Sequence, residues 1–158
     1  MGKLSAGILL YRRHQPELEV FLVHPGGPFW SKKDGGAWSI PKGEYLEGDE
    51  PIAAARREFH EETGFPLPDG ALRPLGEVRL VSRKTISAWA LEGECDARAI
   101  HSNPFSMEWP PKSGKMQEFP EVDRAEWFPL SKAREKIHPV QGEFLDRLIQ
   151  IIDVDGDR

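Results

Sequence analysis

The sequence has a single cysteine, Cys95, in 158 residues, which excludes an internal disulfide framework and a cysteine-based zinc site. It also lacks any apolar run near the roughly 18 residues needed to cross a bilayer. The apolar stretch at 4–11 is short, contains Ser5 and Gly7, and has its positive charge after it, at Arg12-Arg13-His14, which is the reverse of a secretory leader. A reducing, cytoplasmic setting is therefore expected. Positive charge is in short supply as well. Lys and Arg number 21 against 26 Asp and Glu, and the formal net charge of −5 argues against a nucleic-acid backbone or an anionic membrane as partner. An anionic substrate held through a metal ion remains compatible with it.

What is present is the composition of a globular chain, 39% hydrophobic and 30% charged, of a length suited to one domain over residues 1–158. Fifteen glycines and 14 prolines predict long irregular loops. Residues 4–11 and 18–23 read as strands forming a hairpin or lying side by side. Residues 25–37 and 43–49 read as loops with a short strand at 38–40 between them. A helix is expected at 51–63, with Asp49 or Glu50 as cap, Pro51 in its first turn, Gly64 just past its end, and Ile52, Ala55 and Phe59 on its apolar face. Further strands are expected at 79–81, 85–91 and 125–128, loop over most of 96–120, and helices at 131–137 and 140–152. This order predicts an α+β chain or a mixed-sheet α/β/α sandwich.

On the 51–63 helix, Glu58, Glu61 and Glu62 are spaced to share one side. Two of them occupy the last turn, where the helix dipole disfavours carboxylates by about 0.3–1 kcal/mol each. Each like-charged neighbour pair adds about 0.2–0.5 kcal/mol. A cluster with that cost either faces solvent with Arg56 and Arg57 as partial counter-ions, or meets a cation. Hard oxygen donors at this density suit Mg²⁺ or Mn²⁺.

The wider spacing separates these two readings. Gly43, Asp49, Arg57-Glu58-Phe59, Glu61-Glu62 and Gly64-Phe65 together resemble the Nudix box. The departure is Asp49, where the family usually has Glu. The resemblance implies a Nudix-type α/β/α sandwich with a mixed β-sheet, and hydrolysis of a nucleoside diphosphate linked to another moiety. Glu58 and Glu62 would then be the main metal ligands, with Glu61 ligating directly or through water. Arg57 would orient the glutamates, and Gly43 would let the loop turn so that the Lys42 carbonyl approaches the metal. The segment Trp38-Ser39-Ile40-Pro41-Lys42-Gly43 and the opening residues 5–12 are similar to Nudix enzymes that cleave diadenosine polyphosphates.

That resemblance leaves the substrate between a dinucleoside polyphosphate and a nucleoside triphosphate. Lys42 is a candidate phosphate contact. Trp30, Trp109, Phe105 and Tyr45, in expected loops or beside the box, are candidates for stacking an adenine, whereas Trp38, Trp89 and Trp127 read as core. Glu118 and Glu121, shortly before Trp127-Phe128, are candidates for a further metal ligand or general base, and each is equally readable as an exposed loop acid. Lys112-Ser113-Gly114-Lys115 is a basic turn without P-loop spacing. His24, His60 and His101 lack metal-ligand spacing. A non-catalytic nucleotide-binding module would have no need of the acidic cluster, and homodimers are frequent among proteins of the resembled family. Residues 43–65 hold seven acids and two basic residues, so the chain's whole charge imbalance lies in that segment.

Overall fold

The computed structural model describes residues 2–14 and 16–154. Its framework is a six-stranded mixed sheet organised around β1 (Leu4–Arg12). This strand pairs in parallel with β5 (Thr85–Glu92) along its length, from Leu4↔Thr85 to Tyr11↔Glu92. Its other edge is shared. β3 (Lys42–Tyr45) pairs antiparallel with residues 4–7, and β2 (Glu19–Pro25) pairs antiparallel only at Tyr11↔Val20 and Arg12↔Glu19. β4 (Arg73–Arg79) extends the sheet beyond β5, and β8 (Val122–Pro129) extends it beyond β2. The two partners of β1 diverge between residues 7 and 11, and the segment 38–41 threads that gap. Ile8 N–H donates to the Pro41 carbonyl (3.1 Å), and Ser39 bridges to Val23.

The period-2 alternation of β1 divides the core. Ala6, Ile8 and Leu10, with Phe21 and Val23, pack against Ala54, Ala55 and Phe59 of α1 (Pro51–Thr63). Leu9, Tyr11, Val20 and Leu22 face Ala133 of α2 (Leu130–Lys136) and Phe144, Leu145 and Leu148 of α3 (Gly142–Val154). Helices on both faces give the α+β, mixed-sheet sandwich that the element order predicts. Among the described residues no helix is long and apolar enough to cross a membrane.

Several expectations need correction. Residues 42–45, read as the start of a loop, form β3, because β1 offers them an open edge. Residues 38–40 make only isolated bridges, yet Trp38 is fully buried as expected. The strand expected at 79–81 lies earlier, over 73–79, and Val81 is in a turn. The stretch 96–120 is not mainly loop. It carries a 3-10 turn (Ala97–Ala99) and a separate two-stranded hairpin, β6 (Pro104–Glu108) and β7 (Met116–Pro120). Only Phe105, Met107 and Phe119 of these strands are even half-buried, too few positions to announce a strand. The closing helix begins at Gly142, after a 3-10 turn at Pro139–Gln141.

Candidate active site

α1 brings the acidic residues to the gap beneath β3. Pro51 starts the helix behind Glu50, whose side chain makes no capping bond, and Gly64 ends it at φ 82°, where an L side chain is disfavoured. Asp49, expected as a possible cap, instead turns back: its carboxylate accepts the Leu46 N–H (3.3 Å) and its own N–H donates to the Leu46 carbonyl (2.9 Å). A structural turn needs only a short acid, which accounts for Asp49 where Glu is usual. Ala54, Ala55, Phe59 and Thr63 bury the inner face, with Ile52 half-buried at its margin.

Glu58 and Glu62 lie on the side of that helix that meets β3. Glu58 lies so close to β3 that a Cβ on Gly43 would fall 2.0 Å from its Oε1. Gly43 is thus a strand residue whose missing side chain makes room for a carboxylate, rather than a loop residue chosen for a tight turn. Glu62 Oε1 accepts the Lys42 N–H (3.3 Å). Arg57 reaches the Glu58 carboxylate (3.4 Å), the Glu61 carboxylate (3.7 Å) and the Glu44 carbonyl (3.4 Å).

Glu121 joins this group through the backbone. Asn103 donates its N–H to the Glu61 carbonyl at the end of α1 (2.8 Å) and accepts the Glu121 N–H (3.0 Å), while the Glu121 carbonyl accepts the Gly26 N–H (2.9 Å). Glu121, Glu62, Lys42, Ser39 and Pro25 line one small cleft of about 80 Å³. Glu118 is exposed on β7 and does not line it. Tyr45, one face over on β3, lines a different cavity of about 340 Å³ with Leu4 and Leu46, so it is not brought to the Glu62 cleft. Trp30 and Trp109 lie on the loop after β2 and at the end of β6.

The electrostatics of the cleft are those of an acid cluster short of positive charge. Burial, with the Glu58 and Glu121 charges adding to it, pushes the Glu62 carboxyl up to about 8. Burial and Glu61 raise both Glu58 and Glu121. Burial and neighbouring Lys84 lower Lys42, against the pull of Glu62, Glu44 and Glu58. Among the described residues no three acidic, His or Cys side chains already converge at ligand spacing, since Glu58 and Glu61 are turned to Arg57 and Glu62 to the Lys42 N–H. The donor set still fits a hard divalent cation. It is all oxygen, anionic and partly desolvated, and one carboxylate sits in a cradle that any Cβ would fill.

The supports of the site were not visible as motifs. Gln141, buried ahead of α3, accepts the Ile40 N–H (3.0 Å) and donates to Ser39 Oγ (3.0 Å), fixing the segment that leads into Lys42. His24, fully buried, faces the Asp123 carboxylate through Nδ1 (2.8 Å) and the Lys33 carbonyl through Nε2 (2.6 Å). Each pairing joins residues far apart in the chain, except the one to Lys33, so no local spacing announces it.

A family profile described as NUDIX domain matches residues 1–148. The chain is 26% identical over 164 residues to an RNA pyrophosphohydrolase of Brucella anthropi, covering 86% of this chain and 87% of that protein. It is 32% identical over 160 residues to an 8-oxo-(d)GTP phosphatase of Mycolicibacterium smegmatis, covering 92% of this chain and 41% of that one. The chain spans 34% and 41% of the length of two of the curated relatives it matches. The crystal structure of a C. elegans Ap4A hydrolase superposes with a TM-score of 0.65 at 19% identity, over 95% of this chain and 98% of that one, a likeness of fold. The sandwich expected from the motif is the one observed. With the profile spanning 1–148, the chain belongs to the NUDIX domain family.

Proposed function

We propose that this protein is a divalent-metal-dependent pyrophosphohydrolase that cleaves a phosphoanhydride bond in a nucleoside diphosphate-linked substrate, a dinucleoside polyphosphate or a nucleoside triphosphate. The observation that carries it is the Glu58 carboxylate seated in the space left by Gly43, with Glu62 and Glu121 lining one cleft. Related proteins are named for RNA, 8-oxo-(d)GTP and Ap4A, and a nucleotide phosphate is common to all three.

Glu58, Glu62 and Glu61, with the Lys42 carbonyl, are the groups that would hold Mg²⁺ or Mn²⁺. Such an ion, when bound, neutralises a polyphosphate and acidifies water. The chain's own residues do the rest. Arg57 holds Glu58 and Glu61 in register. The Lys42 ammonium, held among carboxylates at the cleft, orients an incoming phosphate. Glu121 takes the proton of the attacking water as it adds in line to phosphorus, and the leaving phosphate departs on the opposite side.

Incubation with Mg²⁺ and a panel of nucleoside triphosphates, diadenosine polyphosphates and nucleotide sugars, with products separated by chromatography, tests this directly. Turnover of a nucleotide polyphosphate is expected. Tight binding without turnover of any of them would make the protein a binding module instead. Gly43→Ala gives a sharper expectation. Its methyl group displaces the Glu58 carboxylate, and misplacement on the order of 1 Å costs about 10²-fold in rate. Turnover should drop by that factor with the helical circular dichroism unchanged, and wild-type rates in this variant would remove Glu58 from the site.

A further inference from the structure

The loop between β3 and α1 and the turn between β4 and β5 meet around the start of β1. Two adjoining cavities open there, of about 340 and about 430 Å³, with Gly2, Leu4 and Glu47 common to both, and their linings share no residue with the acidic cleft. The register of the sheet explains the meeting. Leu4 pairs with Tyr45 of β3 on one side and with Thr85 of β5 on the other, and Thr85 pairs in turn with Arg79 of β4. These residues form one row across the sheet. Leu46 and Glu47 follow Tyr45 at one end of the row, and the turn at 80–84 follows Arg79 at the other.

Both flanks are held by hydrogen bonds, yet both present apolar side chains to water. Leu80 N–H donates to the Lys84 carbonyl (2.8 Å) and Arg83 N–H to the Leu80 carbonyl (2.9 Å), which closes the turn. Gly2 lies so near the Arg83 carbonyl that no Cβ would fit between them. At the tip of this turn Val81 is fully exposed, and across the cavities Leu46 is 77% exposed. Arg83 holds a φ of 73°, in the left-handed region where glycine or asparagine is the ordinary choice. An arginine placed there at a conformational cost implies a use for its guanidinium.

The charges fall into two opposed halves. Arg79 and Arg83 line the larger cavity from the side of the turn and Glu47 lines it from the side of the loop. None of the three has an ion-pair partner among the described residues, whereas neighbouring Lys3 and Lys84 are both taken up by Glu44, at 3.8 and 3.5 Å. A partner of a single sign would satisfy one half and repel the other. A second copy of the same patch satisfies both, because a two-fold contact that brings one residue to another also brings the second to the first.

We propose that the loop between β3 and α1 and the turn between β4 and β5 form the self-complementary face of a two-fold dimer of this chain. The turn of each copy lies across the loop of the other, with Val81 against Leu46 of the partner subunit and Arg83 opposite Glu47 of the partner subunit. The apolar pair at the centre is withdrawn from water, and the charges at the rim set the register. The acidic cleft stays open in such a dimer.

Sedimentation equilibrium of the full chain, over about 1–200 μM, tests this without reference to activity. The average mass is expected to rise with concentration from 17.9 kDa towards twice that value. Val81→Asp should weaken association at least about tenfold with an unchanged melting temperature. Arg83→Glu and Glu47→Arg should each do the same, since each sets like charges against one another across the axis. An equimolar mixture of those two variants should associate as tightly as wild type, because every rim charge then meets its opposite. A mass of 17.9 kDa at every concentration overturns the proposal and leaves the patch to a different partner. Dimerisation indifferent to Val81→Asp overturns it by placing the interface elsewhere, and a mixture that stays monomeric removes the pairing of Arg83 with Glu47 on which the two-fold arrangement rests.

Discussion

Glu62→Gln is expected to lower turnover by about 10³-fold, the scale of losing a group that organises transition-state charge, while making the metal-free protein more stable at alkaline pH. The two effects share one cause. Glu62 is desolvated by its surroundings and repelled by Glu58 and Glu121, and the Lys42 charge and backbone N–H do not offset this. In the fold it keeps its proton up to about pH 8, whereas in the unfolded chain it ionises near 4.5. Between those values the native state binds more protons than the unfolded one, so stability falls as pH rises through that window. Glutamine, neutral throughout, removes that slope. In EDTA, melting temperatures of wild type and variant should agree near pH 5 and separate by pH 8.5, with the variant higher by at least about 2–4 °C. Mg²⁺ should then raise the wild type and leave the variant nearly unmoved. Activity within tenfold of wild type, or coincident melting curves at pH 8.5, would falsify the assignment of Glu62.

Glu121→Gln is expected to cost about 10²–10⁴ in kcat, the usual worth of a positioned general base, while Glu118→Gln stays within about twofold of wild type. The sequence offers both acids on equal terms. The fold separates them, because Asn103 and Gly26 clamp the Glu121 backbone to the end of α1 and to the loop after β2, and Glu121 lines the cleft with Glu62 while Glu118 on β7 does not. Burial and Glu61 hold the Glu121 carboxyl above the ordinary carboxylate range. A base must be ionised to act, so kcat/KM should decline as pH falls through that raised value, and Glu121→Gln should flatten the acidic limb as well as lower the plateau. A variant that keeps the wild-type limb shows that another group takes the proton. If Glu118→Gln proves the costly change, the hairpin rather than the cleft supplies the base.

The parts of the site that were legible before the fold share a property: their spacing is set by local backbone geometry. Glu58, Glu61 and Glu62 fall on one side of a helix because the helix repeats every 3.6 residues, and Pro51 and Gly64 mark its ends through their own backbone preferences. The hairpin β6–β7 was not legible, since its alternation amounts to two half-buried positions, Phe105 and Met107, in one strand and one, Phe119, in the other. β3 was misread as loop for a related reason. Four residues, Lys-Gly-Glu-Tyr, have little strand propensity of their own and become a strand only because the first half of β1 is left open by β2.

By itself the sequence determined the acidic helix, its ends at Pro51 and Gly64, the mixed composition of strands on either side and the concentration of all excess negative charge in residues 43–65. Those are consequences of local periodicity and of counting. Only the tertiary structure decided that Gly43 serves to seat Glu58, that Glu121 and not Glu118 shares the cleft with Glu62, that Tyr45 lies outside it, and that Phe29 stands against Trp109. Each of those facts is a contact between segments brought together when β1 divides its edge between β3 and β2. No spacing along the chain encodes where two separate strands will part.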